Sequence, residues 1–122
     1  MAKKEVPATR RPIPKRFIRF TEEFPEVAYA YEGLGVAVHG SGPLSKRERA
    51  LVKLGISVGA RLEGGAHSHI RKALEAGASE DDLKQIALLA IPTIGFPPAM
   101  AAMSWIEDVI QDKPKKRRKK RS

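Results

Sequence analysis

The sequence predicts an all-α protein of six helices, from three kinds of observation. Apolar residues recur at spacings of three and four along the longer segments, as at Val27, Tyr31, Leu34 and Val38, and this is the period of an α-helix. Stretches that contain glycine or proline interrupt the chain between these segments. Serine followed by acidic residues marks expected helix starts. No segment makes a convincing strand, so we expect no sheet.

The first half of the chain predicts three helices. The first begins near Lys15, and the second has Pro25 in its first turn, where a missing N–H does no harm. The glycines and proline of residues 40–43 break the chain after it. A third helix is expected from Ser45 to about Arg61, with a wide apolar face.

The fourth helix follows an expected joint at Glu63–Gly65. Its apolar stripe is formed by Ala66, Ile70, Ala73 and Leu74 at helical spacing. Gly77 stands where a C-terminal cap belongs, because glycine accepts the left-handed conformation that ends many helices. We therefore expect this helix to end just before Gly77.

The fifth helix is predicted over Leu83–Ile91, and the sixth over Ala99 to about Ile110. Ser79–Asp82 gives the fifth helix a polar start, with acidic residues at the positive end of the helix dipole. Because Leu83–Ile91 is apolar almost all round, we expect it to be buried on every side. Residues 93–98 are expected to interrupt the chain before Pro97 and Pro98 open the last helix.

Length and composition limit the classes of protein that the chain can be. It has 122 residues, which suits a single domain, expected here at residues 15–112. It has no cysteine, which excludes disulfides, thiolate metal sites and cysteine nucleophiles. It has no apolar run of 18 residues, so we expect no membrane span. No apolar stretch follows its basic start, so we expect no secretory signal. We therefore expect a cytoplasmic protein. Its nearly all-apolar helices exceed what one small protomer can cover, which predicts a homo-oligomer.

The net charge of +9 is unevenly distributed along the chain. Residues 20–112 carry eight Lys/Arg against thirteen Asp/Glu, so the expected domain is mildly acidic. Residues 1–14 form a basic arm with three prolines, and residues 113–122 hold eight Lys/Arg and no acid, so we expect both tails to be disordered. Such a tail suits nucleic acid or another polyanion by counterion release, or it serves solubility or rests on the acidic domain. The expected polyanion-binding residues are Lys115, Lys116, Arg117, Arg118, Lys119, Lys120 and Arg121.

Three stretches of the chain together resemble a known family. They read L-S-K-R-E-R at Leu44–Arg49, H-I-R-K-A-L-E-A-G at His69–Gly77 and I-G-F-P-P-A at Ile94–Ala99. In this order and spacing they resemble the carboxymuconolactone decarboxylase family, whose superfamily also holds the alkylhydroperoxidases. The resemblance covers roughly residues 20–112. It implies a single six-helix domain that assembles as a trimer or hexamer, with its active pocket at subunit contacts.

The chain departs from the peroxidase branch of that superfamily. That branch carries a C-x-x-C pair ending four residues before the motif histidine, and these positions are Leu62 and Gly65 here. It also carries a proton-relaying glutamate some nineteen residues before that histidine, and this position is Ala50. Peroxide reduction by the thiol route is therefore excluded.

The decarboxylase branch uses neither cysteine nor cofactor, so we expect no cofactor here. Its reaction removes carbon dioxide from a carboxylated unsaturated lactone, which needs a pocket for the carboxylate and an acid that protonates the remaining carbon. His69 occupies the motif position of the family, and we expect it to be the general acid or base with Glu63 as partner and His67 as a further candidate. Arg71 and Arg61 are candidate binders of the substrate carboxylate. Thr93, the third candidate substrate-binding residue, stands where many relatives have a tyrosine.

Each of these candidates also has a structural interpretation. Residues two positions apart on a helix project about 200° from each other. His67 and His69 should therefore not face one substrate from one chain, although an oligomer could bring them together. Either histidine could simply occupy a helix interface. Glu63 lies four residues before His67, which suits an acid–base pair, two metal ligands, or an acid placed at a helix N-terminus. No third ligand is evident on this helix, so we expect no metal.

Overall fold

The computed structural model describes residues 15–112, which form six α-helices and contain no strand. This confirms the predicted fold class over that part of the chain. The arm at residues 1–14 and the tail at residues 113–122 lie outside the described residues. The helices are α1 (Lys15–Glu23), α2 (Pro25–His39), α3 (Lys46–Gly59), α4 (Glu63–Glu75), α5 (Glu80–Ile94) and α6 (Phe96–Gln111).

Local signals in the sequence set two of the helix ends. The Ser79 hydroxyl accepts a hydrogen bond from the Asp82 backbone N–H at 3.0 Å, and the Ser79 N–H donates to Asp82 Oδ2 at 2.9 Å. This reciprocal capping box opens α5. Gly77 ends α4 with a φ of +99°, and the Ala78 N–H donates to the Ala73 carbonyl at 2.9 Å. Both predicted caps are confirmed.

The contacts of the chain divide into two compact units, with the boundary between Ser45 and Lys46. In the second unit, α3 packs along α4, α4 along α6, α6 along α5, and α5 along α3. The diagonal pairs, α3 with α6 and α4 with α5, touch less. The unit is therefore a four-helix bundle with α3/α5 on one side and α4/α6 on the opposite side.

Each helix of the bundle contributes one large, fully buried side chain to the core. These are Leu54, Ile70, Leu83 and Ile106. Buried alanines surround them and let the helices approach closely; they include Ala66, Ala73, Ala87, Ala99 and Ala102.

The first unit, described over residues 15–45, consists of α1 and α2. The backbone N–H of Phe24 donates to the Phe20 carbonyl, and the two rings lie 5.5 Å apart between their centroids. Neither helix has a buried residue. The apolar row of α2 is more than half exposed along its length, at Val27, Tyr31, Leu34 and Val38.

Three expectations about the helices need correction. The predicted break after Ile91 is wrong, since α5 continues through Pro92 to Ile94, and the Gly95 N–H then donates to the Ala90 and Ile91 carbonyls. Proline removes one backbone donor, and in the last turn the helix tolerates that loss. The joint expected at Glu63–Gly65 is instead the first turn of α4. In the single chain, α5 is not buried on every side, because Leu88 and Leu89 are 52% and 56% exposed.

Candidate functional site

Helix α4 carries most of the candidate residues, and its own packing determines which of them face solvent. Ala66, Ile70 and Ala73 are its buried residues. Gly65 brings the start of α4 close to α3, since a Cβ built there would lie 3.3 Å from Ser57 Oγ. The polar residues between the buried positions therefore lie at the edges of the helix, where they can meet side chains of α3 and α6.

His67 lies at the edge of α4 that meets α6. Its Nε2 atom is 3.4 Å from Oδ2 of Asp108, a residue of α6. The His67 side chain is 25% exposed and that of Asp108 is 63% exposed. Nε2 itself is fully buried and makes no hydrogen bond. The carboxylate is therefore close enough for an electrostatic interaction with the ring, but the two groups are not aligned as a hydrogen bond. The carboxylate beside His67 thus comes from the neighbouring helix α6 rather than from Glu63 on the same helix.

The other α4 candidates occupy different environments. His69 and Arg71 are half-buried. Glu63 is exposed at the first position of α4, where the helix dipole favours an acid. Arg61 is exposed in the turn before α4 with a φ of 62°, an unusual conformation for a residue with a side chain.

Cationic side chains of α3 and α4 lie close enough together to influence each other. Partial burial lowers the pKa of Lys53, and the nearby charges of Lys72 and Arg49 lower it further. One helical turn beyond the contact between Ser57 and Gly65, the antiparallel helices reach Lys53 on α3 and His69 on α4. The cations therefore lie on the two helices that form this face of the bundle, and one of these helices holds the motif histidine. Lys53 was not among the residues predicted from the sequence, because no local pattern reveals which α3 residue lies beside α4.

A groove of about 320 Å³ lies on the other side of the bundle, between α3 and α5. Of the six candidate site residues, only Thr93 lines it, and the Thr93 hydroxyl donates to the Leu89 carbonyl at 2.7 Å. The groove lies opposite the pair formed by His67 and Asp108, so Thr93 does not join the α4 candidates in one site. The remaining lining is glycine and apolar side chains: Leu51, Val52, Gly55, Val58, Gly59, Ile86, Leu89, Ala90 and Ile94.

Within residues 15–112, no three histidine or acidic side chains are placed so that they could hold a metal ion together. No helix in the same range is long and apolar enough to cross a membrane.

The fold and the site define an all-α protein whose candidate polar residues are concentrated on and around one helix of a four-helix bundle. The sequence model of the Carboxymuconolactone decarboxylase family matches residues 25–108, more than half of the chain. The chain therefore belongs to this family, which confirms the resemblance seen in the sequence. Comparison with curated proteins and with solved structures gave no match.

Proposed function

We propose that this protein carries out cofactor-free acid–base chemistry on a small carboxylated substrate, either a decarboxylation or a related reaction. The observation that carries the proposal is the composition of the α3/α4 face. His69 occupies the family's motif position and is half-buried on α4, and the mutually repelling cations Lys53, Lys72 and Arg49 lie on α3 and α4. Cations held close together favour an anion between them, and a carboxylate is such an anion.

The reaction that fits these residues is the loss of carbon dioxide from a carboxylated unsaturated lactone. The bond between the carboxylate carbon and the ring breaks, and its electron pair moves into the conjugated carbonyl system. A protonated acid then gives its proton to the ring carbon and is left as the conjugate base. We assign the proton transfer to His69, with Glu63 as its partner and His67 as the second candidate. Arg61 and Arg71 stay candidates for binding the substrate carboxylate.

The same residues argue against thiol peroxidase chemistry. Leu62 and Gly65 occupy the positions of the two cysteines, and the chain contains no cysteine elsewhere. Ala50, at the position of the relay glutamate, is a buried core residue that cannot carry a proton. We therefore propose that the protein acts as a lyase of the decarboxylase branch.

The proposed site is further expected to be completed by a second copy of the chain. The row of apolar residues on α2 is exposed, as are Leu88 and Leu89 of α5. Exposed apolar surface of this extent marks an interaction surface. We propose a trimer or hexamer, as the family resemblance implies.

The test is a panel of carboxylated unsaturated lactones and related small acids, followed by proton NMR for substrate loss and by carbon dioxide release. His69→Gln should lower turnover by about a hundredfold or more, the usual range for loss of a general acid or base. His39→Gln is the matched control, because it makes the same change in α2, which carries none of the candidate site residues. Absence of turnover across the panel, or equal loss in both variants, would contradict the proposal.

A second candidate function is favoured by the charge of the C-terminal tail. Residues 113–122 hold eight Lys/Arg and no acid, whereas residues 20–112 are net negative. In an oligomer, several such tails would act together, because linked binding groups gain effective concentration. The protein would then be a non-catalytic scaffold that presents basic tails to nucleic acid or another polyanion.

A further inference from the structure

His67 and Asp108 lie on the neighbouring helices α4 and α6, and their side chains approach each other without forming a hydrogen bond. The distance from His67 Nε2 to Asp108 Oδ2 is 3.4 Å, and Nε2 is a fully buried atom without a hydrogen-bond partner. Buried polar nitrogen atoms are seldom left without a partner. The Asp108 carboxylate, 41 residues further along the chain, is close enough to become the partner of this one.

The chemistry of imidazole then decides which ring nitrogen carries the proton. A neutral ring holds one proton, on Nδ1 or on Nε2. If Nδ1 held it, the lone pair of Nε2 would face the lone pairs of the carboxylate, in a place that water does not reach. If Nε2 holds it, the N–H dipole points toward the carboxylate, and a small rotation of either side chain completes a charge-assisted hydrogen bond. The carboxylate therefore selects the tautomer that is protonated on Nε2.

This selection bears on reactivity more than on stability. Asp108 is 63% exposed, and an ion pair with so exposed a carboxylate contributes little to the free energy of folding. The proton on Nε2, however, leaves Nδ1 of His67 as the nitrogen with a free lone pair. His67 would then accept protons only through Nδ1.

We propose that Asp108 is the positioning residue of His67: its carboxylate holds the proton on Nε2 and so makes Nδ1 the basic nitrogen of the ring. The proposal deepens the proposed function, on which it rests for the role of His67 as an acid or base. Helix α6 thereby contributes to the site of α4 a residue that no sequence motif had indicated.

The experiment is long-range proton–nitrogen NMR of the full chain labelled with ¹⁵N, recorded at alkaline pH, where an imidazole ring carries one proton. The signals of His67 are assigned by their loss in His67→Gln. We expect the Nε2–H tautomer to exceed the Nδ1–H tautomer by at least about tenfold, because the alternative leaves a buried acceptor facing a carboxylate. In Asp108→Asn the ratio should fall several-fold, since the amide can donate to Nε2 as well as accept from it.

Glu107→Gln is the matched control, because it removes the same charge from the exposed neighbour on α6. It should leave the His67 tautomer ratio unchanged. Asp108→Ser gives a second variant without the carboxylate in case Asp108→Asn does not fold, as judged by circular dichroism. A wild-type His67 mainly protonated on Nδ1, or a ratio that stays the same without the carboxylate, would overturn the proposal.

The NMR result needs no substrate, so it separates this proposal from the proposed function. If the tautomer depends on Asp108 but no acid is turned over, the positioning stands and the enzymatic role fails. If turnover is found, Asp108→Asn should lower kcat by about tenfold or more with little change in KM, and Glu107→Gln should change neither. Turnover that Asp108→Asn leaves intact would show that positioning by Asp108 has no part in the reaction.

Discussion

Gly64 and Gly65 are adjacent in the first turn of α4, but a methyl group added to each would meet different surroundings. A Cβ built on Gly64 has no atom within 4 Å. A Cβ built on Gly65 lies 3.3 Å from Ser57 Oγ and 3.5 Å from Leu62 Cβ. Ser57 is only 5% exposed, so its side chain has little room to move away. Alanine at the two positions should therefore change the free energy of unfolding differently.

The size of the difference follows from two opposing effects. Alanine in place of a helical glycine reduces the conformational freedom of the unfolded chain, which is worth roughly 0.5–1 kcal/mol. We expect Gly64→Ala to gain stability by this amount. In Gly65→Ala the close contact opposes the gain, since overpacking costs about 1–3 kcal/mol. The free energy of unfolding of Gly65→Ala should thus be at least about 1 kcal/mol lower than that of Gly64→Ala. Urea unfolding followed by circular dichroism at one protein concentration measures this difference.

A double variant tests the cause of this difference. With Ser57→Ala, the hydroxyl is gone, and the nearest Ser57 atom to the added methyl is Cβ at 3.9 Å, an ordinary contact. Gly65→Ala should then recover most of its gain, which a double-mutant cycle measures as a coupling between the two positions. Equal stabilisation by Gly64→Ala and Gly65→Ala would refute the reasoning.

Four further predictions test other parts of the molecule. The Ser79 N–H, and next the Arg47 side chain, lower the pKa of Asp82 from its usual value of 3.8. The charged carboxylate therefore stabilises the fold at pH values above the pKa of Asp82 in the unfolded chain, and this stabilisation is lost as the pH falls through the lower pKa of the folded protein. Asp82→Asn should therefore lower the unfolding midpoint at neutral pH and match the wild type in strong acid; a difference that persists there would contradict this assignment. Light scattering should give a mass well above the 13.4 kDa of one chain, and a monomer at micromolar concentration would argue against shared sites. With a dithiol reductant and an organic peroxide, turnover should stay at background, and robust turnover would contradict the exclusion of peroxidase activity. Deleting residues 113–122 should leave folding unchanged and sharply weaken binding to DNA, RNA or heparin at low salt; undiminished binding would place the interaction elsewhere.

Local chemistry explains what could be predicted of the helices from the sequence. Ser79 and Asp82 are three residues apart, and the capping box that they form needs no other part of the chain. Gly77 likewise ends α4 through hydrogen bonds to residues a few positions earlier. The prediction that the helix ends after Ile91 was wrong, because Pro92 removes only one backbone N–H donor and α5 continues past it. The backbone conformation that ends α5 occurs at Gly95, with a φ of +109°.

The sequence by itself determined the all-α class, the six helices, the absence of thiol chemistry and the family, since each depends on composition, short-range spacing or local motifs. Only the tertiary structure decided which candidates meet. It placed Asp108 against His67, although 41 residues separate them and no helical spacing links them. It also placed Thr93 in the groove between α3 and α5, away from the α4 candidates. The physical reason is that periodicity fixes the face of a helix on which a residue lies, whereas the neighbour of that face depends on how the four helices pack around Leu54, Ile70, Leu83 and Ile106.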